Sequence, residues 1–272
     1  MGERAFDKYE GLGNDFIVID AAEEGAASAE WTRAACDRRR GVGADGVLLV
    51  LPPRERGHVA RMRVINADGS VPEMCGNGLR CVALHVARAR GAAAASGVYE
   101  TDAGLRTADV ELGDAGSADV TCEMGEIIVA RPRAVVVDGA RIDIVCADAG
   151  NPHAILFGRF ARSDVERLGP RIATHPDFPH GTNVEFAIVE GGAVDVVVWE
   201  RGVGITLACG TGACATVAAA CERGDVAWDA PAAVRLPGGV LHVTVSCATR
   251  RALLRGPARR VFSGVLAEPP CR

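Results

Sequence analysis

EMCGNG at residues 73–78 and LACGTG at residues 207–212 are the two segments that decide the fold expected of this chain. In each segment a cysteine, Cys75 or Cys209, is followed by a glycine and then by apolar residues at helical spacing. Both helical patterns stop at a glycine, Gly91 or Gly224, which is typical of a helix C-terminus. The sequence therefore predicts two helices that each begin directly after a cysteine.

The same order of motifs occurs twice, which indicates an internal duplication of a half-chain unit rather than a short solenoid repeat. Asn66 and Glu200 stand at equal distances before their respective cysteines. A chance self-alignment of glycine-rich sequence is the alternative, but it would not be expected to keep one order throughout. The paired segments are GNDFI at 13–17 with GNPHA at 150–154, and GADGV at 43–47 with GTNVE at 181–185.

Length and composition fit a protein of two ordinary domains. The chain has 272 residues, of which 49% are hydrophobic, enough for two cores. Its net charge of −5 offers no basic field for nucleic acid or acidic membranes, so we expect neither as a partner. Because there is no signal-like segment and no apolar run of about 18 residues, we expect a soluble, cytoplasmic protein.

The ten cysteines fit neither a secreted disulfide scaffold nor a zinc site. No C-x-x-C motif occurs, and no histidine stands at ligand spacing from the two cysteines of the glycine-rich turns. We therefore expect no bound metal. Five cysteines among apolar neighbours are expected to be small buried hydrophobic residues: Cys36, Cys81, Cys214, Cys221 and Cys247.

Lys8 is the only lysine of the chain. Pyridoxal phosphate forms its Schiff base with lysine, and a Walker-type phosphate loop needs a lysine after glycine. Lys8 lies in an alternating segment, which predicts an N-terminal strand with this side chain in solvent. We therefore expect any amino-acid chemistry of this chain to need no cofactor.

Short strands dominate the predicted secondary structure, and the few helices make the pattern α+β. In each half, the sheet is expected to wrap around the helix that follows the cysteine, and the turn-rich segment 113–117 marks the boundary between the halves. The predicted helices are 28–39 (with Ser28 as cap), 77–90, 164–173 and 211–223. The predicted strands are 16–20, 46–51, 61–66, 105–112, 119–123, 141–147, 184–189, 194–199 and 240–247.

A thiol at a helix start is suited to proton transfer. The first N–H groups and the dipole of a helix favour a thiolate, and glycines let the backbone approach an anion closely. Two such starts could hold one carboxylate, with Cys75 and Cys209 on opposite faces of the adjacent carbon. One thiolate would remove a proton while the other thiol delivers one, which inverts the carbon without a cofactor.

Two other interpretations of the cysteine pair stay open. Both residues could be simple helix caps, although cysteine is not a preferred cap. The chain could also be a thiol redox or ligand-binding module, which would use low-pKa thiols but would need no surrounding array of asparagine and arginine. Such a module would show a reversible disulfide between Cys75 and Cys209.

The motif around the first cysteine, NADGSVPEMCGNGLR at residues 66–80, resembles the signature of the diaminopimelate epimerase family. Further segments match that family in order: GLGNDF at 11–16, GADG at 43–46, GNPH at 150–153, GTN at 181–183, and ERG at 200–202 followed by CGTG at 209–212. The resemblance covers nearly the whole chain. One departure is Gly46, where many members carry glutamine, and we assign Gly46 no role.

The resemblance implies a fold and a reaction. The fold is α+β, with two pseudo-symmetric domains that each wrap a β-barrel-like sheet around a central helix. The first domain would contain residues 1–117 and 258–272, because the family's last strand returns to it, and the second residues 118–257. The family interconverts LL- and meso-diaminopimelate, a step in lysine and peptidoglycan-precursor biosynthesis, without pyridoxal phosphate, and its members are often homodimers.

The resemblance also implies roles for individual residues. Cys75 and Cys209 would be the acid/base pair, with His153 tuning Cys75, and Glu200 either poising Cys209 or pairing with a ligand ammonium. Backbone N–H groups for the reacting carboxylate would come from Gly76, Asn77, Gly210 and Thr211. The distal amino-acid end would be held by Asn66, Asn151, Asn183 and Arg201, with Asn14 and Glu200 completing the polar lining.

The chemistry of this residue set agrees with a ligand that carries two carboxylates and two ammonium groups. Amides both donate and accept hydrogen bonds, and arginine can bind a carboxylate through two parallel hydrogen bonds. Two alternatives remain: each asparagine could instead be a turn residue that bonds its own backbone, and the substrate could be another amino acid. A required zwitterionic far end would distinguish diaminopimelate from simpler substrates.

Overall fold

The computed structural model describes residues 3–72 and 74–267, which form two compact units. Unit 1 comprises the described residues up to Cys122 together with those from Gly256 on, and unit 2 comprises Glu123–Arg255. From the sequence, the boundaries are expected after residues 117 and 257. Both divisions of the structure fall inside long strands, whereas the turn-rich segment 113–117 lies at a hairpin turn of unit 1.

Unit 1 is a sheet with one long helix. Its strands are β1 (Glu3–Gly11), β2 (Asn14–Asp20), β3 (Gly46–Leu51), β4 (Ala60–Asn66), β5 (Gly97–Thr101), β6 (Gly104–Leu112) and the first part of β7 (Ser117–Glu126). Its helices are α1 (Ala29–Cys36), α2 (Gly76–Arg90) and α3 (Ala92–Ala95), and a 3-10 turn covers Glu24–Ala26.

Unit 2 repeats this plan with another long helix. Its strands are β8 (Ile128–Val129), β9 (Arg133–Val137), β10 (Ala140–Asp148), β11 (Pro152–Phe157), β12 (Asn183–Glu190), β13 (Ala193–Glu200), β14 (Gly204–Thr206), β15 (Ala232–Leu236), β16 (Gly239–Val245) and the first part of β17 (Arg251–Ala267), whose remainder belongs to unit 1. Its helices are α4 (Arg162–Ala173) and α5 (Gly210–Arg223).

Strand pairing follows one alternating pattern in both units. In unit 1 the pairs β1–β2, β3–β4 and β5–β6 are antiparallel, while β2–β3 and β4–β5 are parallel. In unit 2 the pairs β10–β11, β12–β13 and β15–β16 are antiparallel, while β11–β12 and β13–β15 are parallel. The last parallel pair of each unit is joined through the long helix, α2 or α5.

The long helices lie inside the sheets. Every residue of α2 from Gly76 to Ala87 is buried, and α2 contacts β1 to β4 and β6. Nearly all of α5 from Gly210 to Cys221 is buried against strands on several sides. A helix that is buried all round must lie in a core rather than on a surface. The α+β class with a barrel-like sheet around a central helix is therefore confirmed.

Most predicted elements are present, with small differences at their ends. Helix α1 has the predicted cap, since the Ser28 hydroxyl accepts from the Trp31 N–H at 3.1 Å. It ends at Cys36 instead of residue 39 because the Asp37 carboxylate accepts from the N–H groups of Arg39 and Arg40, both at 2.8 Å. Several short elements were missed, among them β5, β9, β11, β15 and α3.

Two expectations about single side chains are wrong. Lys8 is buried rather than solvated, because its ammonium lies 2.5 Å from the Asp15 carboxylate and also donates to the Gly43 carbonyl. Cys247 is exposed rather than buried, because it follows the end of β16 in a turn, and its N–H donates to the Asp229 carboxylate. Cys36, Cys81, Cys214 and Cys221 are buried as predicted.

Candidate active site

Cys75 is the N-cap of α2, as the sequence indicated. Its backbone is extended and its sulfur accepts from the Gly78 N–H at 3.3 Å, while Gly76 is the first helical residue. A Cβ at Gly78 would lie 3.0 Å from a Leu48 methyl carbon and 3.4 Å from the sulfur, so glycine lets the turn close on the thiol. Gly76 and Asn77 are the first two residues of α2, and the backbone N–H groups at a helix start form a common binding site for anions.

Cys209 caps α5 in the same way within unit 2. Its sulfur accepts from the Gly212 N–H at 3.4 Å and lies 3.5 Å from the Thr211 hydroxyl. Gly210 and Thr211 begin the helix, so their N–H groups correspond to those of Gly76 and Asn77. The two turns thus have one geometry, with a sulfur that accepts from the third helical N–H.

The electrostatic surroundings of Cys209 oppose the thiolate. Burial raises the pKa of this thiol well above its ordinary value, and the negative charges of Glu200 and Glu185 raise the pKa further. Hydrogen bonds from Thr211 and Gly212 lower it, but they do not outweigh the other causes. At Cys209, burial and the two carboxylates therefore outweigh the preference of a helix start for a thiolate, and this residue rests as a thiol.

A chain of hydrogen bonds joins Asn14 to the start of α2 in unit 1. The Asn14 amide donates to the Asp45 carboxylate at 2.6 Å and accepts from the Asn77 amide at 3.2 Å. Arg80, which is fully buried, donates to the Asn77 side-chain oxygen at 3.0 Å and to the Pro257 carbonyl at 3.1 Å. The side chain of Asn77 therefore links a predicted ligand-binding asparagine to the helix that carries Cys75.

Asn66 and Gly46 face each other across the β3–β4 pair of unit 1. The Asn66 amide donates to the Ser70 hydroxyl at 3.0 Å, which holds the turn before Cys75. A Cβ at Gly46 would lie only 2.8 Å from the Ile65 carbonyl oxygen. A side chain at position 46 would thus require this strand pair to shift.

Asn183 and Arg201 are held together in unit 2. The Asn183 side-chain oxygen accepts from the Arg201 N–H at 2.9 Å, and the guanidinium donates to the His180 carbonyl at 2.6 Å. Gly181 has a φ of +72°, and a Cβ there would lie 2.7 Å from the Arg201 side chain. Glycine at this turn therefore lets the arginine side chain pass. Nearby in sequence, Glu200 accepts from the Thr206 hydroxyl at 2.6 Å.

His153 lies between two polar side chains of unit 2. Its Nδ1 is 2.7 Å from Glu185 Oε1 and its Nε2 is 2.9 Å from Asn151 Oδ1. The side chains of His153 and Glu185 are both fully buried. Each histidine nitrogen thus has a defined partner, and Asn151 is attached to the same group.

Within each unit, the structure joins most of the predicted residues. Unit 1 links Asn14 and Asn77 to the Cys75 helix, while unit 2 contains Cys209 with Thr211, the Asn183–Arg201 pair, Glu200, and His153 with Asn151. Sequence reasoning missed three charged residues that support these groups: Asp45, Arg80 and Glu185. The available signal was a single charge inside an otherwise apolar stretch, as at Glu185 in NVEFAIV of β12.

Residues 3–72 and 74–267 lack two further kinds of feature. They contain no group of three or more His, Cys, Asp or Glu side chains placed to hold a metal ion. In the same part of the chain, no helix has the length and apolarity to cross a membrane.

Comparison with known proteins gives a consistent family. Residues 6–129 and 145–261 match the family model described as diaminopimelate epimerase. The diaminopimelate epimerase of Microcystis aeruginosa is 41% identical over 96% of this chain and 98% of its own length. That of Synechocystis is 42% identical over 96% and 98%, and that of Desulfitobacterium hafniense 40% over 96% and 97%.

Solved structures of lower identity share the fold. A Bacillus anthracis phenazine biosynthesis protein of the PhzF family has a TM-score of 0.75 at 16% identity, covering 98% of this chain and 100% of its own. A hydroxyproline epimerase from Agrobacterium vitis has a TM-score of 0.73 at 20% identity, covering 97% and 91%. At these identities the likeness concerns the fold alone.

Proposed function

Because this chain belongs to the diaminopimelate epimerase family, and is thus an isomerase, we propose that it interconverts LL- and meso-diaminopimelate with Cys75 and Cys209 as acid and base. One observation carries the proposal: the two thiols cap the buried helices α2 and α5 with the same geometry. A pair of simple caps would not call for cysteine, which is a poor cap residue. The reaction serves lysine and peptidoglycan-precursor biosynthesis.

The proposed chemistry is a proton exchange at the α-carbon. The thiolate of one cysteine takes the α-proton as the C–H bond breaks, and the electron pair moves towards the carboxylate. The thiol of the other cysteine then gives its proton to the opposite face, and a new C–H bond forms. Backbone N–H groups of Gly76, Asn77, Gly210 and Thr211 would stabilise the charge that develops on the carboxylate.

The resting thiol state of Cys209 suggests which cysteine donates and which accepts a proton in the first turnover. Since burial and two carboxylates raise the pKa of Cys209, we propose that Cys209 begins as the proton donor and Cys75 as the base. Glu200 is proposed to poise Cys209, and His153 to exchange protons with Cys75. The two cysteines exchange protonation states at each turnover, so solvent must reset the pair.

The distal end of the ligand is proposed to be recognised by side-chain amides and one guanidinium. Arg201 would bind the distal carboxylate, and Asn183, which is held against the Arg201 backbone, would bind beside it. A ligand ammonium needs acceptor oxygens, which asparagine amides and Glu200 offer. The other proposed contacts are Asn14, Asn66 and Asn151.

Proton NMR of LL-diaminopimelate in D₂O tests the proposal, with reduced protein and no added cofactor. We expect the α-proton signal to disappear and the meso isomer to form. Cys75→Ala and Cys209→Ala should each lower the rate by at least about a hundredfold, because proton transfer by a positioned group contributes about that much. Full activity in Cys75→Ala would refute the two-thiol mechanism. With confirmed reduced thiols, no exchange at all would direct the search to other amino acids and then to a redox module.

A further inference from the structure

A fully buried carboxylate, that of Glu185, lies beside the start of α5, where its charge acts on Cys209. Glu185 is on β12, and its side chain is completely shielded from solvent. Burying an ionised carboxylate is costly unless it is paired and hydrogen-bonded. A carboxylate at this position therefore needs a hydrogen-bond donor or a positive charge as its partner.

His153 is that partner. Glu185 Oε1 lies 2.7 Å from His153 Nδ1, and the imidazole is as buried as the carboxylate. Within the described residues, Glu185 Oε2 makes no hydrogen bond. The hydrogen bond of the carboxylate is therefore the one between Oε1 and the imidazole ring. A carboxylate can only accept, which means that Nδ1 must carry the proton.

The other ring nitrogen is left for exchange. His153 Nε2 lies 2.9 Å from Asn151 Oδ1. An amide can offer its oxygen to a protonated Nε2 or, after a half-turn, its N–H to an unprotonated one. Asn151 can therefore serve both protonation states of Nε2, while Glu185 keeps the proton on Nδ1 in both.

The carboxylate is also placed against the second cysteine turn. A Cβ at Gly212 would lie 2.7 Å from Glu185 Oε1, so glycine is what admits the carboxylate next to the first turn of α5. The groups that act on this region come from three elements: Glu185 on β12, Glu200 on β13, and Cys209 with Thr211 at the start of α5. Glu185 thus lies where it can orient an acid/base residue close to a catalytic helix start.

We propose that Glu185 is a positioning residue that fixes the proton of His153 on Nδ1 and thereby reserves Nε2 for proton exchange. The proposal rests on the proposed function, in which His153 belongs to the acid/base set. Fixing the tautomer in this way removes an unproductive state of the ring before the substrate binds. Apart from the effect of its charge on Cys209, Glu185 acts through His153 and does not itself contact the ligand.

Two-dimensional ¹H–¹⁵N NMR of the imidazole side chains tests the proposal without any substrate. The His153 signals are assigned by their loss in His153→Gln. We expect Nδ1 of the native protein to be protonated near neutral pH, with or without a proton on Nε2. An unprotonated Nδ1 would overturn the proposal, and this result requires no variant of Glu185 to fold.

Glu185→Gln is the sharpest variant, because it keeps the shape of the side chain but can donate as well as accept. We expect the Nδ1–H state to become mixed, kcat to fall by at least about tenfold and KM to change by less than about threefold. Glu185→Asp, which keeps the carboxylate, should retain the Nδ1–H signal. An unchanged ring spectrum and unchanged kcat in Glu185→Gln would contradict the assignment.

Glu190→Gln is the matched control, since Glu190 ends the same strand but forms an ion pair with Arg159 on the surface. This variant should leave the spectrum of His153 and both kinetic constants unchanged. Native protein that shows the Nδ1–H state but does not epimerise diaminopimelate would refute the proposed function and leave the pairing of Glu185 with His153 supported. The two failures are therefore distinguishable.

Discussion

At the scale of single residues, the two candidate catalytic cysteines share a cap geometry but have different surroundings. Cys75 is partly exposed, whereas Cys209 is buried and lies near two carboxylates that raise its pKa. The thiolate is the reactive form of cysteine, and reagents must also reach it. The two thiols should therefore differ in reactivity before any substrate binds.

We expect iodoacetamide to alkylate Cys75 at least about tenfold faster than Cys209 near neutral pH. Peptide mass spectrometry over a time course measures each site separately. The exposed Cys247 provides the rate of an unhindered thiol and the buried Cys214 that of a protected one. Equal rates at the two capping cysteines would contradict the assignment of Cys209 as the resting thiol.

The role of a residue could be predicted where the residue belongs to a sequence motif. It could not be predicted where the role depends on a contact with a residue that is distant in the sequence. The capping cysteines and Asn14 stand in glycine-rich motifs that are visible in the sequence. The burial of Lys8 depends on Asp15 from the next strand and on the Gly43 carbonyl, and no local pattern signals such a pairing. Glu185 stands out as a single charge in an apolar stretch, but its partner could not be predicted because His153 lies on another strand.

At the scale of elements, ion pairs of Asp15 connect three segments of unit 1. Its carboxylate on β2 pairs with Lys8 on β1 and with Arg38 after α1, and Arg38 also pairs with Asp45 before β3. Burial opposes ionisation of Asp15, yet hydrogen bonds from Arg38 and Lys8 lower its pKa below the ordinary value. The carboxylate is thus charged throughout the neutral range and holds the buried lysine in place.

Asp15→Asn should therefore destabilise the protein in a way that depends on pH. Because the folded pKa is depressed, the stability contributed by Asp15 is present above the unfolded pKa of about 3.9 and is lost as the pH falls through the folded pKa. Urea denaturation at pH 7 should show a loss on the order of 3 kcal/mol, since Lys8 keeps a buried charge without its partner. The loss should shrink below about pH 4.

Asp143→Asn is the control, because Asp143 is exposed on β10 and forms an ion pair with the exposed Arg141. Exposed ion pairs contribute little, so this variant should stay within about 0.5 kcal/mol of the native protein at both pH values. A constant loss in Asp15→Asn from neutral to acid pH would show that its role is packing and not charge.

The elements themselves were largely predictable because their signals are local. Buried strands such as β3 and β12 read as apolar runs, and both long helices begin and end at glycine-marked caps. The short strands β9 and β15 were missed although a turn signal follows each of them. Asp138-Gly139 leads from β9 into its partner β10, and Pro237-Gly238 leads from β15 into its partner β16.

At the scale of the whole molecule, the repeated architecture gives each unit one cysteine that caps a buried helix. Cys75 does so in unit 1 and Cys209 in unit 2. Neither unit alone carries both an acid and a base of this kind. If both cysteines are needed for the reaction, the sulfur that accepts the α-proton and the sulfur that donates the new proton must be different atoms. This consequence can be measured with isotopes.

In D₂O, with unlabelled LL-diaminopimelate and less than about one-tenth conversion, we expect the meso product to carry deuterium at the inverted carbon while the remaining substrate keeps its proton. The donor thiol has exchanged with solvent beforehand, whereas the proton just removed stays on the other sulfur. A single base serving both faces would instead return some of the original proton to the product. Mass spectrometry of the separated isomers distinguishes these outcomes, and substantial protium in early meso product would refute the division of roles between Cys75 and Cys209.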